Sequence, residues 1–418
     1  MSVISSENVN AIIRKTLSLV NPKIIDHGEI TGYILYKMLE YENIYSEQEL
    51  VDYTMLGILH DIGIYKEENV ENVVDFETKN LWSHSIYGFL FLKYLSPMGD
   101  KAEIVLYHHL DYNRYPLINS KYMHIIECLN LADKMDAFMH MKNAEMPADY
   151  FNRYRDIAFS GQAQDLFCKA EKSFHIMEKL GDGSYQQELD RLLSKQVFSE
   201  KYKRGFLEML VYTIDFRSEH TVVHTMSTVN FAGQLGRLMR ISGIELRNLY
   251  YGALLHDLGK LCIPLHILES SGKLSEEEMK VMKAHVRITE MILEGIVDDD
   301  VLQIAVRHHE KLDGSGYHKG LTEADLTLPQ QIVAVADILS ALYGKRSYKE
   351  AFDSEKIKAI LNGDAENHKI SQKVVDCLMM NYDSVIANYE KEKEATVGLY
   401  LKIKEQYAQM AKIFEKFN

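Results

Sequence analysis

Residues 251–260 read YGALLHDLGK, and the rest of the chain is organised around them. An apolar run with helical spacing ends in His256 and Asp257, and Leu258, Gly259 and Lys260 follow. A histidine and a carboxylate side by side can both bind one divalent ion. The carboxylate's second oxygen can also reach a neighbouring ion. The dipeptide alone is weak, because a chain with 17 His in 418 residues would contain roughly one His-Asp by chance. Its weight comes from its flanks: His224 before it, and His285, His308, His309 and Asp337 after it.

The same order occurs in the first half. His27 precedes His60 by 33 residues, and His224 precedes His256 by 32. His60 to His84 is 24 and His256 to His285 is 29; His84 to His108 is 24 and His285 to His308 is 23. His109 to Asp133 is 24, and His309 to Asp337 is 28. The chain has two His-Asp and two His-His pairs, one of each per half, which internal duplication explains better than chance. A lone histidine is more often a satisfied core or surface residue. The ordered set carries the metal reading: His27, His60, Asp61, His84, His108, His109 and Asp133 in the first half. His124, His140, His175, His266 and His368 have no counterpart in the pattern.

Length predicts two to three domains. A net charge of −14 argues against a nucleic-acid polymer or an anionic membrane as partner. No apolar run is long enough to span a bilayer, and the N-terminus MSVISSENVN has no signal-peptide pattern. The four cysteines are scattered without a CxxC, which predicts buried thiols in a reducing compartment, hence the cytoplasm.

Runs of alternating β-branched residues are nearly absent and apolar residues recur at three and four, so the expected fold is all-α. The first helix is expected over residues 2–22, ended by Pro22, and others over 27–41, 47–59, 83–95, 100–109 and 123–140. A linker is expected at the Gly181, Asp182, Gly183, Ser184 break. In the second half, Ser275 and Glu278 form a predicted capping box, and residues 329–343 a helix holding Asp337. The predicted domains are 1–195, 196–360 and a C-terminal helical extension, 361–418. In its tail, Tyr400, Ile403, Tyr407, Met410, Phe414 and Phe417 share one stripe, suited to packing on its own chain or to a homodimer.

The order His224, His256-Asp257, His285, His308-His309, Asp337 resembles the signature of the HD phosphohydrolase superfamily. The segment HHEKLDGSGYHKG resembles the hallmark of the HD-GYP subfamily, the cyclic dinucleotide phosphodiesterases, and the likeness runs over residues 199–350. His318 and Ser347 stand where that subfamily usually has proline, which is expected to change loop stiffness only. The first half resembles the broader superfamily, with Ile64 in place of Lys260 and a shorter loop at Asn113, Arg114, Tyr115 and Pro116.

The resemblance implies two HD-type helical bundles in tandem and a two- or three-metal centre, most simply iron or manganese, with zinc or nickel possible. It implies that Asp257 bridges two ions, with His224, His256 and Asp337 on one and His285, His308 and His309 on the other. His220 is either a ligand for a third ion or a capping residue. Lys260 would lie beside the scissile phosphate, and Arg346 and Lys349 would hold phosphate oxygens or form a solvated cationic turn. Asp313, Gly314 and Gly316 belong to the substrate loop, and Tyr317 could stack on a base or pack that loop. The implied substrate is a cyclic dinucleotide, most simply cyclic di-GMP; 3′,3′-cGAMP and a metal-dependent nucleotide receptor without turnover are the alternatives. The first half is expected to be regulatory.

Overall fold

In the computed structural model, every regular element among the described residues is a helix, as the sequence predicts. The described residues are 4–20, 22–66, 81–142, 152–195, 197–216, 221–270, 272–344 and 352–417. His220, Arg346 and Lys349 lie outside them. The helices of the first half are α1 (Ser6–Val20), α2 (Pro22–Glu42), α3 (Glu47–Ile58), α4 (Leu81–Leu95), α5 (Glu103–Leu106), α6 (Met123–Lys142), α7 (Gly161–Phe174), α8 (Ile176–Asp182), α9 (Tyr185–Ser194) and α10 (Glu200–Asp215). Those of the second half are α11 (His224–Leu238), α12 (Gly243–Leu255), α13 (Leu265–Leu268), α14 (Glu276–Leu293), α15 (Asp299–Val306), α16 (Leu328–Gly344), α17 (Ser354–Glu366), α18 (Gln372–Met380) and α19 (Tyr382–Phe414).

Local chemistry sets several of these ends. Pro22 opens α2 rather than closing a helix that contains it, because a first-turn position loses nothing by lacking an N–H. Ser275 and Glu278 make both bonds of the capping box that starts α14. The expected helix over 100–109 shrinks to the single turn α5. Gly183, at φ +80°, separates α8 from α9, where the linker break was expected. The four cysteines are free thiols, but only Cys128 is buried and Cys168 is exposed.

The chain forms two compact units. The first-half unit is Leu17–Phe206 with Ile403–Asn418, and the second-half unit is Met1–Thr16 with Leu207–Lys402. In the first-half unit, α2 packs along α3 and α6, and α4 packs on the 3-10 turn Ile62–Lys66. In the second-half unit, α11 packs along α12 and α16, and α14 packs on the 3-10 turn Leu258–Cys262. Leu35, Leu39, Leu56 and Leu90 are fully buried in one, and Leu235, Leu254, Val335 and Leu339 in the other. Each such side chain contributes about 1.5–3 kcal/mol by leaving water. Part of the tail stripe packs on its own chain: within the first-half unit, Tyr407 stacks on Tyr87 at 3.9 Å and Phe414 lies 4.8 Å from Trp82.

Candidate metal centres

In the second-half unit the ligand-type residues come from five elements. His224 starts α11, His256 and Asp257 follow α12, His285 lies on α14, His308 and His309 follow α15, and Asp337 lies on α16. The two oxygens of Asp257 face different partners. Oδ2 lies 3.1 Å from both His224 Nε2 and His256 Nε2, while Oδ1 lies 3.3 Å from His285 Nε2 and 3.9 Å from His308 Nε2. Asp337 Oδ1 lies 3.1 Å from His224 Nε2, and its Oδ2 lies 3.7 Å from His309 Nδ1.

The backbone fixes which ring nitrogens point inward as acceptors. His256, His285 and His308 each donate from Nδ1 to the carbonyl three residues back, of Ala253, Met282 and Ala305, at 2.6–2.7 Å. A carbonyl can only accept, so Nδ1 carries the hydrogen and Nε2 of the neutral ring presents a lone pair. The Ser340 hydroxyl donates to the His224 carbonyl at 2.9 Å, so it must accept from His224 Nδ1 at 3.0 Å. Burial pushes His285 down to about 4 and His309 to about 3, and holds His308 well below the usual imidazole range. These rings are therefore neutral.

Acceptors thus converge on one another. Buried Asp257 Oδ1 and His256 Nε2 have no hydrogen-bond partner. Burial opposes a charge on His256, but Asp257 and Asp337 outweigh it and raise the ring to about 10. A cation at this place is what the donor set lacks, and a proton takes that role when no metal is bound. His224, His256 and Asp257 form one group able to hold an ion, and His285, His308 and His309 another. All donors are imidazole or carboxylate, a set suited to divalent transition ions.

Lys260 donates to Asp257 Oδ2 at 2.5 Å. Burial would lower its ammonium, yet Asp257 and Asp337 raise it, so it stays charged. Gly259 lets the turn come close: a Cβ there would sit 2.0 Å from the His285 carbonyl oxygen. Tyr317 packs the loop, its ring 4.6 Å from His309 and its N–H bonded to the His309 carbonyl, with Lys283 Nζ 4.8 Å over its face. Gly316 allows the loop to lie on Glu310, whose Cα would be 2.5 Å from an added Cβ, and Gly314 takes φ +78°. Asp313 is exposed and accepts from the Ser315 N–H, closing the turn. His318 bonds Glu290 on α14 at 2.7 Å, which anchors the loop where proline would stiffen it.

The first-half unit repeats this geometry. Asp61 Oδ2 lies 3.5 Å from His60 Nε2 and 3.9 Å from His27 Nε2, and Oδ1 lies 3.4 Å from His84 and 3.8 Å from His108. Asp133 Oδ1 is 3.0 Å from His27 Nε2, and Oδ2 is 3.4 Å from His109 Nδ1. His60 and His108 donate from Nδ1 to the carbonyls of Gly57 and Val105. Both Asp61 oxygens and His108 Nε2 are buried without a hydrogen-bond partner. Gly63 repeats Gly259, with an added Cβ 2.0 Å from the His84 carbonyl oxygen. Ile64, in the place of Lys260, is buried apolar.

Residues 208–374 match the family model described as an HD domain. A Vibrio cholerae protein named 3′3′-cGAMP-specific phosphodiesterase 1 is 25% identical over 403 residues, 88% of this chain and 90% of that one. The cyclic di-GMP phosphodiesterase response regulator RpfG of Xanthomonas campestris pv. campestris is 38% identical over 174 residues, 41% of this chain and 46% of its own length. The second half of the chain thus contains an HD domain, and the relatives it resembles are named as cyclic dinucleotide phosphodiesterases. The crystal structure of the V. cholerae cyclic GMP-AMP-specific phosphodiesterase V-cGAP3 shares the fold, with a TM-score of 0.57 at 19% identity over 92% of this chain and 98% of that one.

Sequence reading of this chain missed the outer supports. Thr289 Oγ1 accepts from the Gly259 N–H and donates to the His256 carbonyl. Asp215, buried and pushed up to about 6 chiefly by that burial, accepts from the backbone and hydroxyl of Thr225 beside His224. Glu310 accepts from the N–H groups of Lys319 and Leu321. Gly63 and Gly259 had a usable signal, since each follows its His-Asp by two residues in both halves.

Proposed function

We propose that this protein is a metal-dependent phosphodiesterase that hydrolyses a cyclic dinucleotide at the second-half centre, with cyclic di-GMP as substrate. One observation carries the reading: Asp257 offers its two oxygens to two separate histidine groups, and Lys260 sits on one of those oxygens. His224, His256 and Asp337 would hold one ion, His285, His308 and His309 the other, with Asp257 between them. Ions held there would neutralise phosphate oxygens and lower the pKa of water, iron or manganese being the best match to a donor set without thiolate, with zinc or nickel also able to bind.

The chain's own residues supply the rest. Lys260 holds a positive charge in a water-poor site, where it stabilises charge developing on a phosphoryl oxygen. Ser340 and the carbonyls of Ala253, Met282 and Ala305 hold the rings in one tautomer. Tyr317, already seated on His309, walls the site on the loop side, and Arg346 and Lys349 would take phosphate oxygens remote from the metals. The functional division is 1–195 as regulator, 196–360 as catalyst and 361–418 as extension. A third ion at His220 would extend the centre.

3′,3′-cGAMP is the second reading, favoured because the V. cholerae relative spanning 88% of the chain is named for that substrate. No described helix is long and apolar enough to cross a membrane. Mn²⁺- or Fe²⁺-loaded protein incubated with cyclic di-GMP, 3′,3′-cGAMP and cyclic di-AMP, with products separated by chromatography, tests the proposal. Linear dinucleotide or mononucleotide from cyclic di-GMP is expected, and no hydrolysis of any of the three would refute it.

A further inference from the structure

The two centres differ most in where their lysine stands. In the second-half unit, Lys260 lies three residues after the Asp257 carboxylate, and Ile338 follows Asp337. In the first-half unit the two residue types are exchanged: Ile64 lies three residues after Asp61, and Lys134 follows Asp133. Ile64 is 1% exposed, so no cation stands at that position. Lys134 Nζ, however, lies 3.8 Å from Asp133 Oδ2, the oxygen that also faces His109 Nδ1 at 3.4 Å. Its side chain is 28% exposed, so the ammonium sits at the rim of the centre, where it can turn to an incoming anion.

We propose that the first-half centre is a second phosphoryl-binding site, with Lys134 as the cation that holds a phosphate oxygen. This rests on the reading that the His27, His60, Asp61, His84, His108, His109 and Asp133 set holds divalent ions. Each unit then matches its two carboxylates with one lysine, but on different carboxylates. Lys260 serves the carboxylate between the two histidine groups, and Lys134 serves the one beside His27 and His109. A phosphoryl group in the first-half unit is therefore held from the Asp133 edge. The ligand class is a phosphate anion, free or as a nucleoside monophosphate. A compact ammonium on a flexible stem suits such a group at a partly open rim.

The test uses the full-length, Mn²⁺-loaded chain carrying Asp257→Ala and Lys260→Met, which removes the second-half contribution. Inorganic phosphate and 5′-GMP are titrated separately by calorimetry, and manganese content is measured by elemental analysis. Binding of either probe is expected, weakened about tenfold or more by adding Lys134→Met and kept by Lys134→Arg, with manganese content unchanged. In the otherwise wild-type chain, Lys134→Met should remove one of two classes of phosphate site. Failure of both probes to bind, or a weakening below tenfold in Lys134→Met, overturns the proposal. Lack of cyclic dinucleotide turnover by the wild type would instead end the functional reading and leave the phosphate titration standing.

Discussion

Replacing Lys260 with isoleucine gives the second-half centre the residue that the first half carries at Ile64. The Lys260 ammonium lies 2.5 Å from Asp257 Oδ2, and its side chain is only 17% exposed. A positioned cation in such a place is worth about 3–4 kcal/mol to a developing oxyanion, so kcat should fall by roughly two to three decades. The loss should appear in kcat more than in KM, because the ground-state phosphate is already neutralised by the ions and by other basic groups. The ligands themselves are untouched, so metal content should stay at the wild-type level. Steady-state hydrolysis of cyclic di-GMP, with elemental analysis of the same samples, reads both quantities. A Lys260→Ile enzyme with kcat within threefold of wild type, and full metal content, would refute the role given to this lysine.

Gly259→Ala should abolish turnover and lower metal content, because its Cβ would meet the His285 carbonyl oxygen at 2.0 Å; normal metal content would contradict this. Thr289→Val leaves the Gly259 N–H and the His256 carbonyl without their hydroxyl, and should cost about 1–3 kcal/mol in urea unfolding; an unchanged midpoint would count against it. Ser340→Ala removes the acceptor that orients His224, and should weaken Mn²⁺ binding about tenfold or more by competition with a metal-sensitive dye. Metal affinity should fall with acid: His256 is raised to about 10 without metal, so protons compete for it more strongly as pH drops. Mn²⁺ should therefore bind more tightly at pH 8 than at pH 6, and the reverse order would contradict the account.

The duplicated ligand set was legible in the sequence because corresponding helices and turns follow in the same order in both halves, which keeps the paired spacings within five residues of each other. Five helices or turns had only to fold alike for His27 and His224, or Asp133 and Asp337, to fall at matching places. What spacing cannot show is which carboxylate a lysine will reach. Ile64 marks a missing lysine in one register, while Lys134 restores a cation from a different helix, and only the 3.8 Å approach to Asp133 reveals it. Helix ends were misread where a residue has two roles, as with Pro22, which can follow one helix or open the next. The tautomer-fixing carbonyls were invisible because they are backbone atoms, present at every position and decided by the local turn. His318 was read as a change in loop stiffness, and its bond to Glu290 shows how an anchored side chain does the work of a ring.

The central claim is that hydrolysis takes place at His256 and Asp257. The most direct measurement is turnover of cyclic di-GMP and 3′,3′-cGAMP by the full-length chain carrying His256→Ala and Asp257→Ala, with Mn²⁺ present and helical content checked by circular dichroism. The account predicts wild-type helicity, retention of first-half metal and loss of hydrolysis for both substrates. Wild-type turnover of either substrate by that folded double variant would contradict it.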